Sequence, residues 1–401
     1  MKFASRLDEV KPSATLEITA RAKALKEKGV DVVSFTAGEP DFPTPSHICE
    51  AAHEAIRTGK TRYLPTAGLP ALRNAVARDY SAQHHVKVEP EQVVITVGAK
   101  QALFNFFLAA LEPGDEVIIP APYWVSYPDQ VRIAEGVPVI VETRASDHFR
   151  LRPDAVLKAA TGKTKVLVLN SPSNPTGAVY PSAELKAILD VARTLGVWVV
   201  SDEIYSRLVY GGIEYASALS TAPDLADRIV VVDGTSKTFS MTGWRVGWAI
   251  APKKMASTIA MLQGQSTSNP TSFAQYGALA AIESPKDFFK AWLQEFEHRR
   301  NTIVEALNQI PHVTCSRPDG AFYAFADFSY YSGEGGRKDA PFPDDQKLAQ
   351  FLLDKAQVAV IPGSAFGAPG FQRLTYATSV AEIEKGVGRI RSCLCDLPLP
   401  R

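Results

Sequence analysis

The feature that most constrains this chain is a series of short, unbroken apolar runs separated by helical stretches. They lie at Gln92–Val97, Glu116–Ile119, Val137–Val141, Lys165–Asn170, Val197–Asp202 and Ile229–Asp233. A strand wetted on one face alternates apolar and polar residues, whereas an unbroken run suits burial on both faces. Helical patterns between the runs, as over Pro181–Leu195, predict a mostly parallel, doubly wound α/β sheet covered by helices on both sides. The flanks read differently. Residues 14–28 predict a helix stopped by Gly29, and from about residue 286 the chain turns helix-rich and more charged, as over Phe288–Leu307. Ala321–Phe325, Val358–Ile361 and Arg373–Tyr376 are short strand candidates. These patterns predict a large domain over 41–285 and a smaller α+β domain built from 1–40 with 286–401. A polar, glycine-rich stretch around 329–345, with Gly333-Glu334-Gly335-Gly336, reads as a surface loop.

Charge and composition exclude several classes. Forty-three basic residues balance forty-three acidic ones, so the basic excess needed to live on nucleic acid or anionic lipid is missing. With 46% apolar and 21% charged residues the chain is too hydrophobic to stay disordered. No run approaches the ~20 apolar residues that span a bilayer. The start, Met1 to Glu9, shows no apolar signal core, so no secretory signal is expected. Cys49, Cys315, Cys393 and Cys395 form no zinc-type spacing and read as reduced thiols of a cytoplasmic enzyme, with no metal site expected.

Ligands of a parallel sheet bind beyond the carboxyl ends of its strands. Asp202 ends one apolar run, where a carboxylate is costly unless a cation meets it. Alone it reads as well as a helix cap or structural ion pair. Lys237 follows the next run, and a lysine lodged in a dry site can lose its proton and act as a nucleophile. Ser236 and Arg245 could hold a phosphate, one by hydroxyl and one by a planar fork. Gly98-Ala99-Lys100 stands at a strand-to-helix junction, whose free N–H groups bind phosphate. Asn170 to Gly177, with two prolines and a glycine, makes a stiff turn that would hold the Asn174 amide at the strand ends. An amine, an acid, a phosphate cradle and an amide converging there suit pyridoxal phosphate, whose ring is an electron sink when its nitrogen stays protonated.

The chain also resembles a known family over nearly all its length. The residues that carry this are Lys11 to Thr15, Gly38 to Phe42, Tyr63, Gly98 to Gln101, Pro122 to Tyr127, Asn174 to Gly177, Ser201 to Tyr205, Ser236 to Arg245, Gln265 to Asn269, Gly320 to Tyr323 and Arg373 to Thr378. The pattern is similar to the fold type I, class I pyridoxal-phosphate-dependent aminotransferases, and most similar to the bacterial aspartate and aspartate/prephenate group. The resemblance implies that Lys237 carries the cofactor and shuttles the substrate's α-proton, and that Asp202 pairs with the ring nitrogen. It implies that Asn174 and Tyr205 hydrogen-bond the ring's phenolic oxygen and that Trp124 stacks on the ring. Gly98, Ala99, Lys100, Ser236 and Arg245 would form the phosphate and cofactor cradle. Tyr63 would reach the phosphate of a partner subunit, so a homodimer with shared sites is implied. Arg373 would grip the substrate α-carboxylate, and Gly38 would let the backbone approach it.

For the substrate's far end the resemblance implies Lys100, Ser13 and Thr15. A cation there favours a dicarboxylic substrate such as aspartate or glutamate with 2-oxoglutarate or oxaloacetate, and the Thr15–Lys100 combination also resembles members that aminate prephenate to arogenate. The chain departs from the group at Ala99, where glycine is common, and at Thr238-Phe239-Ser240, where Ala-Tyr/Phe-Ala is usual. An aminotransferase for aromatic or neutral amino acids, or a lyase using the same cofactor, remains the alternative on such a scaffold. A nicotinamide oxidoreductase would need GxGxxG, and Val97-Gly98-Ala99-Lys100-Gln101-Ala102 lacks that spacing.

Overall fold

The structure is a computed structural model and describes residues 4–8, 10, 14–333 and 339–397. Its strands are β1 (Val33–Ser34), β2 (Val93–Val97), β3 (Glu116–Ala121), β4 (Val137–Glu142), β5 (Thr164–Asn170), β6 (Trp198–Asp202), β7 (Ile229–Gly234), β8 (Val246–Ile250), β9 (Thr314–Cys315), β10 (Tyr323–Asp327), β11 (Val358–Ala359), β12 (Ile361–Pro362) and β13 (Phe371–Thr375). Seven of them form one sheet in the order β2-β8-β7-β6-β5-β3-β4. All its pairings are parallel except those of β8, which runs antiparallel to both β2 and β7.

The unbroken apolar runs are explained by two cores. Leu167 and Leu169 of β5 face one side, with Leu185 and Ile188 of the helix Ser182–Leu195 and Leu72 of the helix Pro70–His84. Val166 and Val168 face the other, with Leu103 and Phe106 of the helix Gly98–Ala110 and Ile259 of the helix Lys253–Ser266. Each such side chain contributes about 1.5–3 kcal/mol by leaving water. One strand of this sheet escaped the sequence reading. In β8, Gly247 interrupts the apolar run, so its pattern is hidden. A Cβ on Gly247 would strike the Ala99 nitrogen, so this glycine lets β8 pass directly under the Gly98–Ala99 turn.

A third core gathers Phe35, Phe296, Ile303, Phe322, Leu374 and Ile390. Here the order β12-β13-β10-β9 forms a second sheet, against the long helices Asp287–Asn308 and Val380–Cys395. The apolar run at 358–361 divides. β11 pairs in parallel with β1, while β12 pairs antiparallel with β13. β10 starts two residues later than the pattern suggests, because Ala321 takes a left-handed φ of 57° and its N–H turns to Leu208 O. The N-terminal helix runs Ala14–Glu27, and Gly29 closes it by donating to Lys26 O. Among the described residues no helix is long and apolar enough to cross a membrane. Glu334, Gly335 and Gly336 of the glycine-rich stretch lie outside the described residues.

Candidate active site

The strand register brings the sequence candidates to one level. Asn170 pairs with Asp202, and Asp202 with Val232, so β5 and β6 end level and β7 runs two residues further, to Gly234. Beyond them lie Asn174, Asp202 with Tyr205, and Ser236 with Lys237. β2 ends beside them and leads into Gly98.

Lys237 is partly buried, and its Nζ donates to Gly38 O. The amine lies 5.7 Å from the Tyr205 ring centre and 5.8 Å from that of Phe322. Loss of water pushes its pKa down from 10.5 to about 8; Glu39 and Asp202 oppose that fall, and Arg373 and Arg245 add to it. At pH 7 roughly a tenth of such amines are neutral, about 300-fold more than for an ordinary lysine.

Asp202 is only 4% exposed. One of its oxygens accepts from the Tyr127 hydroxyl at 2.7 Å and the other from Ile204 N at 3.3 Å. Burial raises its pKa to about 6, against the pull of those two neutral donors and, last, of Lys237. It is therefore mostly ionised near neutrality, and a cation placed against it would be strongly held.

Arg373 is 3% exposed and projects from β13. Its Nη1 donates to Asn174 Oδ1 at 3.0 Å and its Nη2 to Thr36 O at 2.9 Å. The Tyr323 ring lies 4.5 Å from its guanidinium carbon and the Phe366 ring 5.0 Å. Its Nε is buried with no hydrogen-bond partner. A guanidinium held by a carbonyl, an amide and two rings can still take up a carboxylate. Tyr205 OH shares a 2.8 Å hydrogen bond with Tyr323 OH, which puts both hydroxyls in this group.

The cradle stands at the end of β2. Gly98 has a φ of +73°, and a Cβ there would lie 2.6 Å from Arg245 Nη2, so only glycine lets that guanidinium settle over the turn. Arg245 also donates from Nη1 to Thr242 O at 2.9 Å. Ser236 is buried beside Lys237. Trp124 meets the Tyr127 ring edge-on at 5.3 Å, and the exposed Lys100 amine sits 4.8 Å above the Trp124 ring. Partial burial, and then Arg245, lower the Lys100 pKa. A cleft of about 1100 Å³ opens here, with Lys100, Gln101, Tyr123, Arg132 and Arg245 on its walls.

Three sequence candidates stand apart. Tyr63 is 89% exposed and meets none of these groups within its own chain. Ser13 lies outside the described residues, and Thr15 is described only as backbone of the first helix. Conversely, the sequence reading assigned no role to Tyr127, Tyr323, Thr36, Glu39 or Thr242. Tyr127, Tyr323, Glu39 and Thr242 do fall within the quoted motifs, but no local signal marks their roles.

A buried acid able to hold a cation, a lysine about a tenth neutral at pH 7, and an arginine over a glycine turn fit an aldehyde cofactor with a cationic ring and a phosphate. The chain matches the family described as aminotransferase class I and II over residues 30–390. It is 48% identical over 397 residues to a probable aspartate/prephenate aminotransferase of Aquifex aeolicus, covering 98% of this chain and 99% of that one. It is 47% identical to the aspartate aminotransferase of Geobacillus stearothermophilus, covering 97% and 98% of the two chains. Among solved structures, the aspartate aminotransferase of Rhizobium meliloti superposes with a TM-score of 0.92 at 40% identity, covering 98% of each chain. That of Thermus thermophilus with maleate gives 0.91 at 42% identity, covering 98% of this chain and 100% of the other.

Proposed function

The chain belongs to the class I and II aminotransferases, and from that premise we propose that it moves the amino group of aspartate or glutamate to a 2-oxo acid, with pyridoxal phosphate as its cofactor. The observation that carries this reading is the partly desolvated Lys237 amine at the strand end next to the buried Asp202 carboxylate. Bound here, pyridoxal phosphate supplies the electron-poor ring that takes the charge left at the amino acid's α-carbon.

The chain's own residues supply position, charge and proton movement. Arg373 receives the α-carboxylate through its free Nε edge, with Gly38 bordering the same space. Asn174 keeps that guanidinium from turning, since its amide oxygen accepts from Nη1. The Asp202 carboxylate holds a proton on a ring nitrogen placed against it, and Tyr127 fixes its orientation. Asn174 and Tyr205 serve the ring's oxygen, Trp124 its face, and Gly98, Ala99, Ser236, Lys100 and Arg245 the phosphate. Once free, the Lys237 Nζ is neutral often enough to take the α-proton and return it further along. Exposed Tyr63 suits a place in a partner's site, so the working unit is a homodimer. We divide the chain into a cofactor-binding domain, 41–285, and a second domain, 1–40 with 286–401, whose meeting edge carries the site. The free state of the described cysteines supports a cytoplasmic setting.

Purified protein loaded with pyridoxal phosphate should be yellow, and borohydride should fix the cofactor to the peptide containing Lys237, read by mass spectrometry. An adduct on another side chain, or none, overturns the reading.

Substrate choice rests on Lys100, with Ser13 and Thr15 as its partners. Maleate, the ligand of the Thermus thermophilus relative, is a dicarboxylate, which supports a dicarboxylic substrate. Relatives named for prephenate as well as aspartate, that of Aquifex aeolicus among them, support amination of prephenate to arogenate as a second reaction. Lys100→Ala should cut kcat/KM for aspartate by roughly 10–150-fold, the worth of about 1.5–3 kcal/mol for a hydrogen bond to a charged group. For phenylalanine the loss should be a few-fold. Equal losses would leave Lys100 only its place at the phosphate.

A further inference from the structure

The strap Gly38 to Thr44 is stitched to the loop Lys237 to Trp244 by five hydrogen bonds: Lys237 Nζ to Gly38 O, Ser240 Oγ to Phe42 O, Thr44 Oγ1 to Ser240 O, Thr242 Oγ1 to Glu39 Oε2 and Trp244 Nε1 to Thr44 Oγ1. Only one of them engages a carboxylate. Thr242 donates to Glu39 at 2.6 Å, and Glu39 directly follows the residue whose carbonyl receives the lysine amine. Thr242 also lends its carbonyl to Arg245, so the same residue links strap and phosphate arginine. Ser240 holds a left-handed φ of 52° within this stitch, which shapes the loop so that both its hydroxyl and its carbonyl face the strap.

We propose that Glu39 is a positioning residue for the Lys237 amine: the Thr242 hydroxyl holds its carboxylate beside that amine, and its charge sets how firmly the amine keeps its proton. The charged groups around the amine come from four elements. Glu39 lies on the strap, Asp202 on β6, Arg373 on β13 and Arg245 on the lysine's own loop. Tyr205 and Tyr323 add neutral hydroxyls. The two arginines oppose the two acids, and of these four charges Glu39 acts most strongly on Nζ. Asp202 faces the ring nitrogen in the function proposed above, so its charge is already engaged. Glu39 is the acid left to offset the two arginines. Because Glu39 belongs to the strap that borders the substrate carboxylate, any shift of the strap changes the charge facing the base.

This inference rests on Lys237 being the reactive amine, and its test separates the two ideas. The full-length chain, freed of pyridoxal phosphate, is labelled with acetic anhydride across pH, and the Lys237 peptide is quantified by mass spectrometry. Glu39→Gln keeps an acceptor for Thr242 but removes the charge. It should move the labelling midpoint of Lys237 down by about one pH unit, the lower end of what a nearby opposite charge does. Thr242→Val should move it down by a smaller amount, Glu39→Asp should restore part of the shift, and the double variant should match Glu39→Gln alone. An unchanged midpoint in Glu39→Gln overturns the proposal, as does a Thr242→Val shift that adds to that of Glu39→Gln. Failure of borohydride to fix the cofactor on Lys237 in the unaltered protein is a different result, and strikes the functional reading instead.

Discussion

Lys237→Ala should slow the half-reaction with aspartate by at least about 10⁴-fold, followed by the cofactor's absorbance after rapid mixing. Positioned acid–base groups contribute about 10²–10⁴ on their own, and in the proposed function this side chain is also the nucleophile that receives the cofactor. No neighbour can stand in. The other amine of the site, Lys100, is exposed and rests over Trp124 on the cradle side. Activity within tenfold of the unaltered protein would remove Lys237 from the mechanism. The variant should not melt at a lower temperature by more than a few degrees, because deleting an amine pushed down to about 8 also deletes an unfavourable desolvation. A small primary amine added at millimolar concentration should restore part of the rate, since the space beside Gly38 O is then open to it.

Asp202→Asn should lower kcat by about 10²–10³-fold with little change in KM, a loss typical of deleting one preorganised charge in a dry site. The amide keeps the volume and can still accept from Tyr127, so the packing around it should survive. The charge, however, is gone. A pH profile gives the sign. The carboxyl of the unaltered protein is neutral below its pKa, about 6 here, and a cation facing it moves that value lower still. Activity therefore falls as pH drops through or below about 6, and this limb should vanish in Asp202→Asn. A full-rate variant with the limb intact would show that Asp202 does not carry the charge the ring needs.

How far the sequence spoke depended on what each residue contacts. The central strands of the large sheet were legible because both faces are buried, which leaves a signature within five or six consecutive residues; the edge strand β4 carries a similar apolar run although Val137 and Ile140 are exposed. Asp202 and Lys237 were legible because a charged residue closing such a run must be met by something. β8 was not, since its glycine exists for the turn lying over it, a neighbour remote in sequence. The same holds for Tyr127, whose hydroxyl meets Asp202 across 75 positions, and for Tyr323, which meets Tyr205 across 118. Their side chains read locally as ordinary core aromatics. Glu39 and Thr242 lay inside recognised motifs, but only the pairing of the two segments shows that they serve each other. The family resemblance supplied roles for Tyr63 and Lys100 that no local pattern carries.

The pairing of β1 with β11, and the reach of Arg373 to Thr36 across 337 positions, set an order of events during translation. At about 5–20 residues per second, a ribosome that has made Thr36 needs roughly 20–70 s to reach its arginine. The seven-stranded sheet can close in that interval, because all its strands lie between residues 93 and 250. The opening segment meanwhile waits with its edge unpaired. The contact of Arg373 with Thr36 is thus among the last parts to form, and under the proposed function a nascent chain whose cofactor cradle is built still lacks its grip on the amino acid.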